Sequence, residues 1–477
     1  MGEYILVLTH EGKVFAATNP ENLKLTNIST PENNFEHYLK IVESPDFKGF
    51  TFRPDRFRYN DILYYERKNE RGLLASYTKF DPAENCYTNA LSKLVISEQA
   101  KLPSDIVAKK EDWTLIYESK PCLPLKKKYR AIEGHMAGGR IAFDGEDKVY
   151  LASGEYHWDG VYADKIISQD MTYEYGKVIS INIDTQNYRI LTSGQRNMQG
   201  ITVDGKGRVW TLEHGIRGGD ELNLVQEGKD YGFPSETLGT LYSGLPVPNT
   251  LSLGRHEKFE KPIWAWLPSV GTSSLAVIDN FHESWDGDLM AASMRDGSLY
   301  RVRITGNRAM FAERIHIGSR IRYAQMHRDN IVLWTDEKRL HFLSADNNGA
   351  VMKFIDHYLE REDFDSATKK ALKNAIGSCN QCHSFDPTEN VSAPSLALVF
   401  GSKAGTTPFA GYTSAIKNSG KRWNKEELAD FLIDPSKSVP GTSMPNSNIE
   451  NPEVVNGLVG LLEALKTSAK SWEGKDY

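Results

Sequence analysis

The sequence predicts two domains of different class: an all-β six-bladed β-propeller over residues 1–348 and a small all-α domain over residues 353–477. The propeller is predicted because one pattern, a short strand, a polar turn and a second strand, recurs six times along the first part of the chain. The second domain is predicted because apolar residues recur at helical spacing beyond Asn347-Asn348-Gly349. A length of 477 residues suits two or three domains.

The six copies of the strand-turn-strand pattern are divergent and irregularly spaced, which is typical of propeller blades joined by long loops. A β-sandwich array would give similar strands, but the number of copies and the loops between them favour the propeller. The copies span residues 3–17, 49–67, 139–155, 200–215, 285–304 and 322–344.

Three segments of the second domain have helical periodicity. The run KFIDHYLEREDFDSATKKALKNAIGS predicts an amphipathic helix that ends close to the first cysteine of this domain. Residues 424–434 predict a helix with an asparagine N-cap, and residues 452–470 predict a closing helix with proline in its first turn.

The composition argues against three classes of protein. A net charge of -6 and a pI near 6.1 argue against a protein that binds nucleic acid or a membrane surface. With a mean hydropathy of -0.48, the chain has no apolar run near the ~18 residues that a membrane span requires.

The second domain carries a haem-attachment motif, Cys379-Asn380-Gln381-Cys382-His383. One helical turn presents both sulfur atoms to the haem vinyl groups, and the histidine then binds the iron. A metal-binding or redox Cys-x-x-Cys pair that happens to precede histidine is the alternative. Met444, in PGTSMP, lies well downstream, where a sixth ligand is needed, and a thioether ligand suits electron transfer.

From about Ala371 to Leu465 the chain resembles a class I cytochrome c of the mitochondrial type. The resemblance implies that Pro394 accepts a hydrogen bond from the proximal His383 and that Met444 is the second axial ligand of haem c. It also implies that the haem is held through Cys379, Cys382, Tyr412, Trp423 and Thr442.

Haem is attached to such motifs outside the cytoplasm. We therefore expect a periplasmic or secreted protein whose leader is absent from this sequence. In that compartment the two remaining cysteines, Cys86 and Cys122, can form a disulfide. Two free buried thiols are an equally good interpretation of the sequence.

Three clusters in the first domain carry chemistry. His135 lies in the glycine-rich run EGHMAGGRIAF, and GQRNMQGITV continues into WTLEHGIRGGDELNLVQEGKDYGFP. Three arginines, at 295, 320 and 322, predict an anionic ligand, and nearby tryptophans suit a planar one. Asp220 and Glu221, beside a glycine-rich loop, suit a hard cation such as Ca²⁺.

These clusters resemble the soluble PQQ-dependent aldose (glucose/sorbosone) dehydrogenases over about residues 1–345. The resemblance implies that His135 is the general base, that Glu155 orients it and that Arg196 lies against the reactive quinone oxygen. For PQQ, the implied contacts of the carboxylates and the ring plane are Asn197, Trp266, Arg295, Arg320 and Arg322. For Ca²⁺, the implied binding or supporting residues are Gly215, Ile216, Asp220, Glu221 and Tyr231.

Two functional hypotheses follow from the sequence. In the first, the protein oxidises an aldose or a related alcohol or aldehyde with PQQ, passes the electrons to its own haem and then to an external cytochrome or terminal oxidase. In the second, the propeller is a cofactor-free binding module tethered to an electron carrier. The arginine trio and the fused haem motif favour the first.

Overall fold

The structure is a computed structural model that describes residues 4–19, 22–128, 134–248, 250–252, 254–282, 284–345, 349–361, 363–380, 382–386, 392–447, 449 and 451–472. The chain divides into two compact units, residues 1–345 and 346–477. This division lies three residues before the end of the predicted propeller domain.

The first unit is a β-propeller, as predicted, and its six blades are antiparallel sheets of three to five strands. Blade 1 consists of β1 (Ile5–Leu8), β2 (Val14–Ala17) and β3 (Lys24–Leu25). Blade 2 consists of β5 (Tyr59–Arg67), β6 (Glu70–Asp81), β7 (Cys86–Val95), β9 (Thr114–Glu118) and β10 (Leu123–Pro124). Blade 3 consists of β11 (Gly138–Phe143), β12 (Lys148–Ser153), β13 (Lys177–Asn182) and β14 (Tyr188–Ile190).

The other three blades follow in chain order. Blade 4 consists of β16 (Met198–Val203), β17 (Val209–Glu213), β18 (Asp220–Leu224) and β20 (Trp264–Trp266). Blade 5 consists of β21 (Thr272–Val277), β22 (Leu289–Ser293), β23 (Ser298–Thr305) and β24 (Arg308–His316). Blade 6 consists of β25 (Ile321–His327), β26 (Asn330–Thr335) and β27 (Leu340–Ser344). Two small parallel pairs join β4 (Asn27–Ile28) to β8 (Val107–Ala108) and β15 (Thr192–Ser193) to β19 (Lys229–Asp230).

The first strands of successive blades neighbour one another around the propeller axis. In blades 2 to 6 each of these strands has a β-bulge near its start, where one residue has no partner on the second strand. A bulge removes a residue from the hydrogen-bonded ladder and leaves its main-chain groups in need of other partners. The residues without a ladder partner are Asn60, Gly139, Gln199, Ser273 and Arg322.

Arg140, the residue after the bulge of blade 3, joins five blades at the axis. Its guanidinium donates to the carbonyl oxygens of the bulge residues Asn60 (3.4 Å), Gln199 (3.0 Å) and Ser273 (3.2 Å). It also lies 3.6 Å from the buried carboxylate of Asp61 and 4.9 Å from the ring centroid of Tyr323. Arg140 therefore satisfies main-chain groups that the bulges leave without ladder partners.

The ring of blades closes through apolar packing, because Ile5 and Ala17 of blade 1 contact Val332 and Leu340 of blade 6.

Between the two interpretations of the remaining cysteines, the structure shows the disulfide: Cys86 and Cys122 are bonded.

The recurring sequence pattern located strands in every blade, but not always the same strands. The copy at 285–304 covers the second and third strands of blade 5, and the copy at 49–67 covers only the first strand of blade 2. Alternating apolar residues mark any half-buried strand, so they do not reveal which strand of a blade is innermost.

In the second unit, the described regular elements are helices, and the longest predicted helix is wrong as one element. It is divided into α2 (Gly349–Leu359) and α3 (Ser366–Cys379), because the Asp365 side chain accepts a hydrogen bond from Thr368 N at 2.7 Å and caps a new helix. The other helices are α1 (Phe35–Val42) of the first unit and, in the second unit, α4 (Ser414–Asn418), α5 (Lys425–Ile433), α6 (Pro435–Ser438) and α7 (Pro452–Trp472). The predicted helix with an Asn424 N-cap is α5 and the predicted closing helix is α7, so both predictions are confirmed. Among the described residues, no helix has the length and apolar character of a membrane span.

Replacing Arg140 with methionine should lower the free energy of unfolding of the propeller by ~3–5 kcal/mol, because it leaves a buried carboxylate and several carbonyl groups without their donor. The matched control is Arg189→Met, which removes an exposed pair with Glu227 and should cost ~0–1 kcal/mol. Urea titration followed by tryptophan fluorescence measures both. Equal losses in the two variants would show that Arg140 does not hold the blades together.

Candidate active site

His135 lies in the turn that leads into β11, between Gly134 and Met136, both of which have positive φ angles. A side chain at position 134 would place its Cβ 1.8 Å from the carbonyl oxygen of Arg56, so only glycine allows this close approach. The Nδ1 atom of His135 is buried and has no hydrogen-bond partner among the described residues. Such an orphaned atom is available to a ligand.

Glu155 follows β12, opposite His135 on the same hairpin. Main-chain hydrogen bonds from Gly154 to Ala137 (2.8 Å) and from Tyr156 to Met136 (3.0 Å) hold the two segments together. The Glu155 carboxyl is fully buried, and no described group hydrogen-bonds to it. Burial and the charge of Asp159 raise its pKa to about 8. The structure thus brings the predicted base and its predicted positioning residue to one hairpin without a hydrogen bond between them.

Arg196 connects this hairpin to blade 4. Its carbonyl oxygen accepts a hydrogen bond from Glu155 N at 3.0 Å, and its own amide donates to the Glu213 carboxylate at 2.7 Å. Its guanidinium donates to the carbonyl oxygens of His214 (3.2 Å) and Gly215 (2.7 Å), while its Nε atom has no partner in the described structure.

Asn197 also ties blade 3 to blade 4, because its Oδ1 accepts from Gly138 N (3.3 Å) and from the Gln199 amide (2.9 Å). Its Nδ2 lies 3.4 Å from Nδ1 of His214. The asparagine is therefore fixed from three sides, as a cofactor contact should be.

The charge around His135 is strongly positive. Burial and, to a smaller extent, the charges of Arg56, Arg196 and Arg58 together lower the pKa of His135 to about 3. The imidazole is therefore neutral at neutral pH, which is the form that accepts a proton. Its ring also meets His157 edge-on, with 4.8 Å between ring centroids.

The predicted cofactor arginines lie further along the same face, on blades 5 and 6. Arg295 donates to the carbonyl oxygen of Ser269 at 3.1 Å. Arg320 and Arg322 share one carboxylate, that of Asp336, and Arg322 also lies 3.0 Å from the Met294 sulfur. Half or nearly half of each of these two side chains is exposed, so both can still contact a ligand.

Trp266, the predicted contact of the cofactor plane, is buried in the apolar cluster between blades 4 and 5. Its ring packs edge-on against Tyr300 at 5.5 Å, and its indole N–H has no described partner. A stacking role for Trp266 stays a prediction.

The predicted calcium residues are divided between two places. The Asp220 carboxylate accepts hydrogen bonds from the amides of Gly215, Val270, Gly271 and Thr272, at 2.6–3.3 Å, so it braces the 215 loop instead of presenting a free ligand. Glu221, the next residue on the strand, points to the opposite face, as strand alternation requires.

The hydroxyl of Tyr231 is also occupied, because it is bonded to the carbonyl oxygen of Leu224 and to Gln226 N. The carbonyl oxygen of Gly215 already accepts a hydrogen bond from the Arg196 guanidinium. Ile216 lies in the same loop and pairs with Gly218 in an isolated antiparallel β-bridge.

On the opposite face, Glu221 enters a buried cluster with Glu213, Glu236, Asn223 and His256. Burial and the neighbouring carboxylate of Glu213 raise the pKa of Glu221 well above its ordinary value. Within the described structure, Asn223 Oδ1, Glu236 Oε2 and His256 Nε2 have no hydrogen-bond partner. Crowded carboxylates with orphaned oxygen atoms fit a hard cation.

In the second unit, Cys379 ends helix α3, and both Cys379 and Cys382 are free thiols. Nδ1 of His383 lies 2.7 Å from the carbonyl oxygen of Pro394. This contact leaves the other ring nitrogen for a metal ion, and burial lowers the pKa of the imidazole. The donor set of two thiols and one oriented imidazole fits covalently attached haem.

Four of the predicted haem residues belong to one apolar cluster of the second unit, in which Trp423 is buried and Cys379, Tyr412 and Met444 are partly buried. The amide of Met444 donates to Thr442 Oγ1 at 3.2 Å, and the Tyr412 hydroxyl lies 2.5 Å from Thr407 Oγ1.

Sequence reasoning missed several residues of the propeller site. Glu213 and His214 stand inside the run WTLEHG and could have been found there. Arg56 and Arg58 alternate with Phe57 in DRFR, a weak signal that became informative only when the chain folded against His135. The other missed residues are His157, Asn223, Glu236 and His256.

The sequence profile of the glucose/sorbosone dehydrogenase family matches residues 61–343, which is more than half of the chain. An aldose sugar dehydrogenase of Escherichia coli is 29% identical over 256 residues, 49% of this chain and 64% of the relative. An uncharacterised protein of Synechocystis sp. is 30% identical over 39% of this chain and 47% of its own length. The chain thus spans about half to two thirds of the length of these two curated relatives.

The C-terminal part is similar to cytochrome c2 iso-2 of Magnetospirillum fulvum, with 35% identity over 91 residues, 19% of this chain and 95% of the relative. The fold of the larger part is similar to that of the aldose sugar dehydrogenase of Escherichia coli in its apo form, with a TM-score of 0.54 and 21% identity. That match covers 72% of this chain and 92% of the other.

We expect His135 to remain neutral at pH 5 in the cofactor-free protein, where an ordinary histidine with a pKa near ~6.5 is protonated. Because the folded-state pKa is lowered, acidification from ~6.5 towards 3 protonates the unfolded chain first, and this residue's contribution to stability falls as the pH falls. Ring ¹⁵N shifts of the histidines measure the titration, and His135→Gln identifies the signal. A midpoint near the ordinary value would contradict the buried cationic environment.

Proposed function

Because the chain belongs to the glucose/sorbosone dehydrogenase family and its C-terminal part to the cytochromes c, we propose that it is a quinohaemoprotein sugar dehydrogenase. In this proposal the propeller oxidises an aldose, or a related alcohol or aldehyde, with PQQ, and the electrons pass to the haem c of the same chain. The observation that carries the proposal is the buried, unpartnered Nδ1 of His135 beside Arg196, whose Nε is also unpartnered within the described residues.

PQQ, when bound, supplies the two-electron oxidation by accepting a hydride from the sugar. The residues present fit it, because His135, Arg196 and Trp266 each have a buried polar atom without a described partner, and the arginines of blades 5 and 6 suit its carboxylates. Asn197, Arg295, Arg320 and Arg322 would hold those carboxylates. The ion pairs of Arg320 and Arg322 with the shared carboxylate of Asp336 hold these two guanidiniums in place in the absence of a ligand.

His135 would act as the general base. Hydride leaves a sugar carbon readily only if the attached hydroxyl loses its proton, and a neutral imidazole can take it. The lowered pKa keeps the ring neutral, while the nearby cations stabilise the negative charge that develops on the sugar oxygen.

Glu155 would be the positioning residue for His135. Its raised pKa, about 8, makes it predominantly a neutral carboxyl at pH 7, which can both donate and accept a hydrogen bond. Arg196 would bind the quinone oxygen through the Nε that has no described protein partner.

Calcium is also proposed. The carbonyl oxygens of Gly215 and Ile216 would face a Ca²⁺ at the cofactor, with the loop braced by Asp220. The buried carboxylate cluster around Glu221 fits a second ion, to which Tyr231 could contribute only its carbonyl oxygen because its hydroxyl is occupied.

In the second unit, we propose a class I cytochrome c fold in which Cys379 and Cys382 attach the haem and His383 and Met444 bind its iron. Pro394 would orient His383 through the 2.7 Å contact, and Tyr412, Trp423 and Thr442 would border the propionate and methionine sides. A thioether ligand raises the haem potential, which suits an acceptor of electrons from a sugar.

The sugar gives up two electrons and one haem accepts one, so an external cytochrome or terminal oxidase would empty the haem between two transfers. Because both centres are on one chain, their effective concentration would be about millimolar for a short flexible link. Haem attachment and the Cys86–Cys122 disulfide support a periplasmic or secreted location.

Replacing Met444 with alanine should abolish the near-infrared sulfur–iron absorption band of the oxidised protein, because the thioether is lost from the iron. Absorbance spectroscopy of the haem-loaded protein measures this band. Met352→Ala, in helix α2 of the same unit, is the control and should retain it. A wild-type spectrum without the band would mean that another group is the sixth ligand.

Adding an aldose to the PQQ-loaded protein should reduce its own haem without a mediator, at a rate independent of protein concentration. His135→Ala should slow this reduction by ~10²–10⁴-fold, the contribution of a general base, and leave the haem spectrum intact. Stopped-flow absorbance measures both rates. A rate that scales with protein concentration would indicate transfer between molecules. If none of a broad panel of aldoses reduces the haem, the dehydrogenase proposal is wrong.

A further inference from the structure

Two arginines of blade 2 reach the surroundings of His135. Arg56 ends the short 3₁₀ helix Pro54–Arg56, and Arg58 comes just before β5. Phe57, between them, is buried and stacks on Tyr38 with 4.3 Å between ring centroids. Arg56 and Arg58, on either side of this buried ring, are both partly exposed.

This segment is in direct contact with the turn that carries His135. The carbonyl oxygen of Arg56 and the Cα of Phe57 are the atoms that a side chain at Gly134 would meet, at 1.8 and 3.3 Å. The two arginine charges act on His135 itself and help to lower its pKa. Arg58 also acts on Tyr156, which follows Glu155.

Arg58 has no described partner of opposite charge. Burial and the charges of Arg140, Arg56 and Arg322 lower the pKa of Arg58 to about 10, while Tyr156 acts in the opposite direction. Arg140 is balanced by Asp61 and Arg322 by Asp336, but no ion pair involves Arg58 in the part of the chain that the structure describes. Arg58 is partly buried. A partly buried cation without a counter-charge is costly and can still be reached by a ligand, so its position indicates an anionic ligand.

The ligand is expected beside His135, where the proposed function places the sugar. The carboxylates of PQQ already have Asn197, Arg295, Arg320 and Arg322, whereas Arg58 adds its charge next to the base. Resting on the proposed function, we infer that the sugar substrate carries a negatively charged group, a carboxylate or a phosphate, and that Arg58, with Arg56 beside it, binds this group.

A neutral aldose would cover the partly buried Arg58 guanidinium and leave its charge unbalanced in the substrate complex. A site with a polar or charged partner for one substrate group strongly rejects an analogue that lacks that group, because the site's own group is then left unpaired. An apolar pocket discriminates much less against an analogue with one additional group. Arg58 is therefore a specificity-determining residue in addition to the base and the cofactor contacts.

The test compares D-glucose with D-glucuronate, the same ring with a carboxylate, and with D-glucose 6-phosphate. The full chain loaded with haem, PQQ and Ca²⁺ is used, and kcat/KM is measured by reduction of its own haem. We expect at least one anionic sugar to exceed glucose by about tenfold or more, and the better of the two identifies the carboxylate or the phosphate.

Arg58→Gln should lower the ratio of kcat/KM for the preferred anionic sugar to that for glucose by about ten- to a hundredfold, the effect of one charge-assisted hydrogen bond. Calorimetry should give the variant the parent's PQQ affinity, and urea unfolding should show no loss of stability, because the substitution removes a partly buried charge that has no described counter-charge. Arg53→Gln is the matched control, since Arg53 is exposed and paired with Asp55 in the same segment, and it should not change the ratio.

Three results would overturn the inference. Glucose oxidised as well as both anionic sugars would remove the anionic substrate but leave the proposed dehydrogenase intact. A PQQ affinity that falls tenfold in Arg58→Gln, with all sugars affected alike, would assign Arg58 to a cofactor carboxylate. No haem reduction by any of the three sugars or by a wider panel of aldoses would reject the proposed function, and the inference with it.

Discussion

The contact between Arg140 and the carbonyl groups of the inner-strand bulges is the interaction on which the propeller depends. A bulge bends a strand and withdraws a residue from the ladder, so each blade that has one must find another donor for a main-chain oxygen. Arg140 supplies donors to Asn60, Gln199 and Ser273 at once, and Asp61 balances its charge. The cost of burying this pair is offset because the guanidinium is hydrogen-bonded on several sides.

The same bulges set the geometry of the candidate site. Gln199, fixed through its carbonyl oxygen, holds Asn197 by its side-chain amide, and Asn197 in turn accepts from Gly138 beside the His135 turn. The position of the proposed base is therefore coupled to the axis of the propeller through a short chain of hydrogen bonds. A loop held in this way is preorganised, which is what a proton transfer requires.

Polar groups without partners are concentrated where ligands are proposed. The buried atoms of His135, Glu155 and Arg196, and those of the carboxylate cluster around Glu221, stand out against a core in which nearly all buried polar groups must be paired. Local conflict of this kind is expected at functional sites, where the fold accepts an energetic cost that a bound ion or cofactor relieves. The same argument supports an anionic substrate, because the charges that act most strongly on His135 are those of the cations Arg56, Arg196 and Arg58.

The sequence by itself determined the features that are encoded in local patterns of residues. Strand alternation gave the propeller, the spacing of Cys379, Cys382 and His383 gave the haem motif, and GQRNMQG with LEHG predicted the residues that meet at blade 4. The tertiary structure alone decided which distant residues meet. It divided the predicted calcium set, because adjacent strand residues Asp220 and Glu221 point to opposite faces, and it paired Cys86 with Cys122. It also placed Arg58 beside His135 and Arg140 at the axis. These contacts join segments far apart in the chain, and their partners follow from how blades close around an axis, which no local spacing specifies.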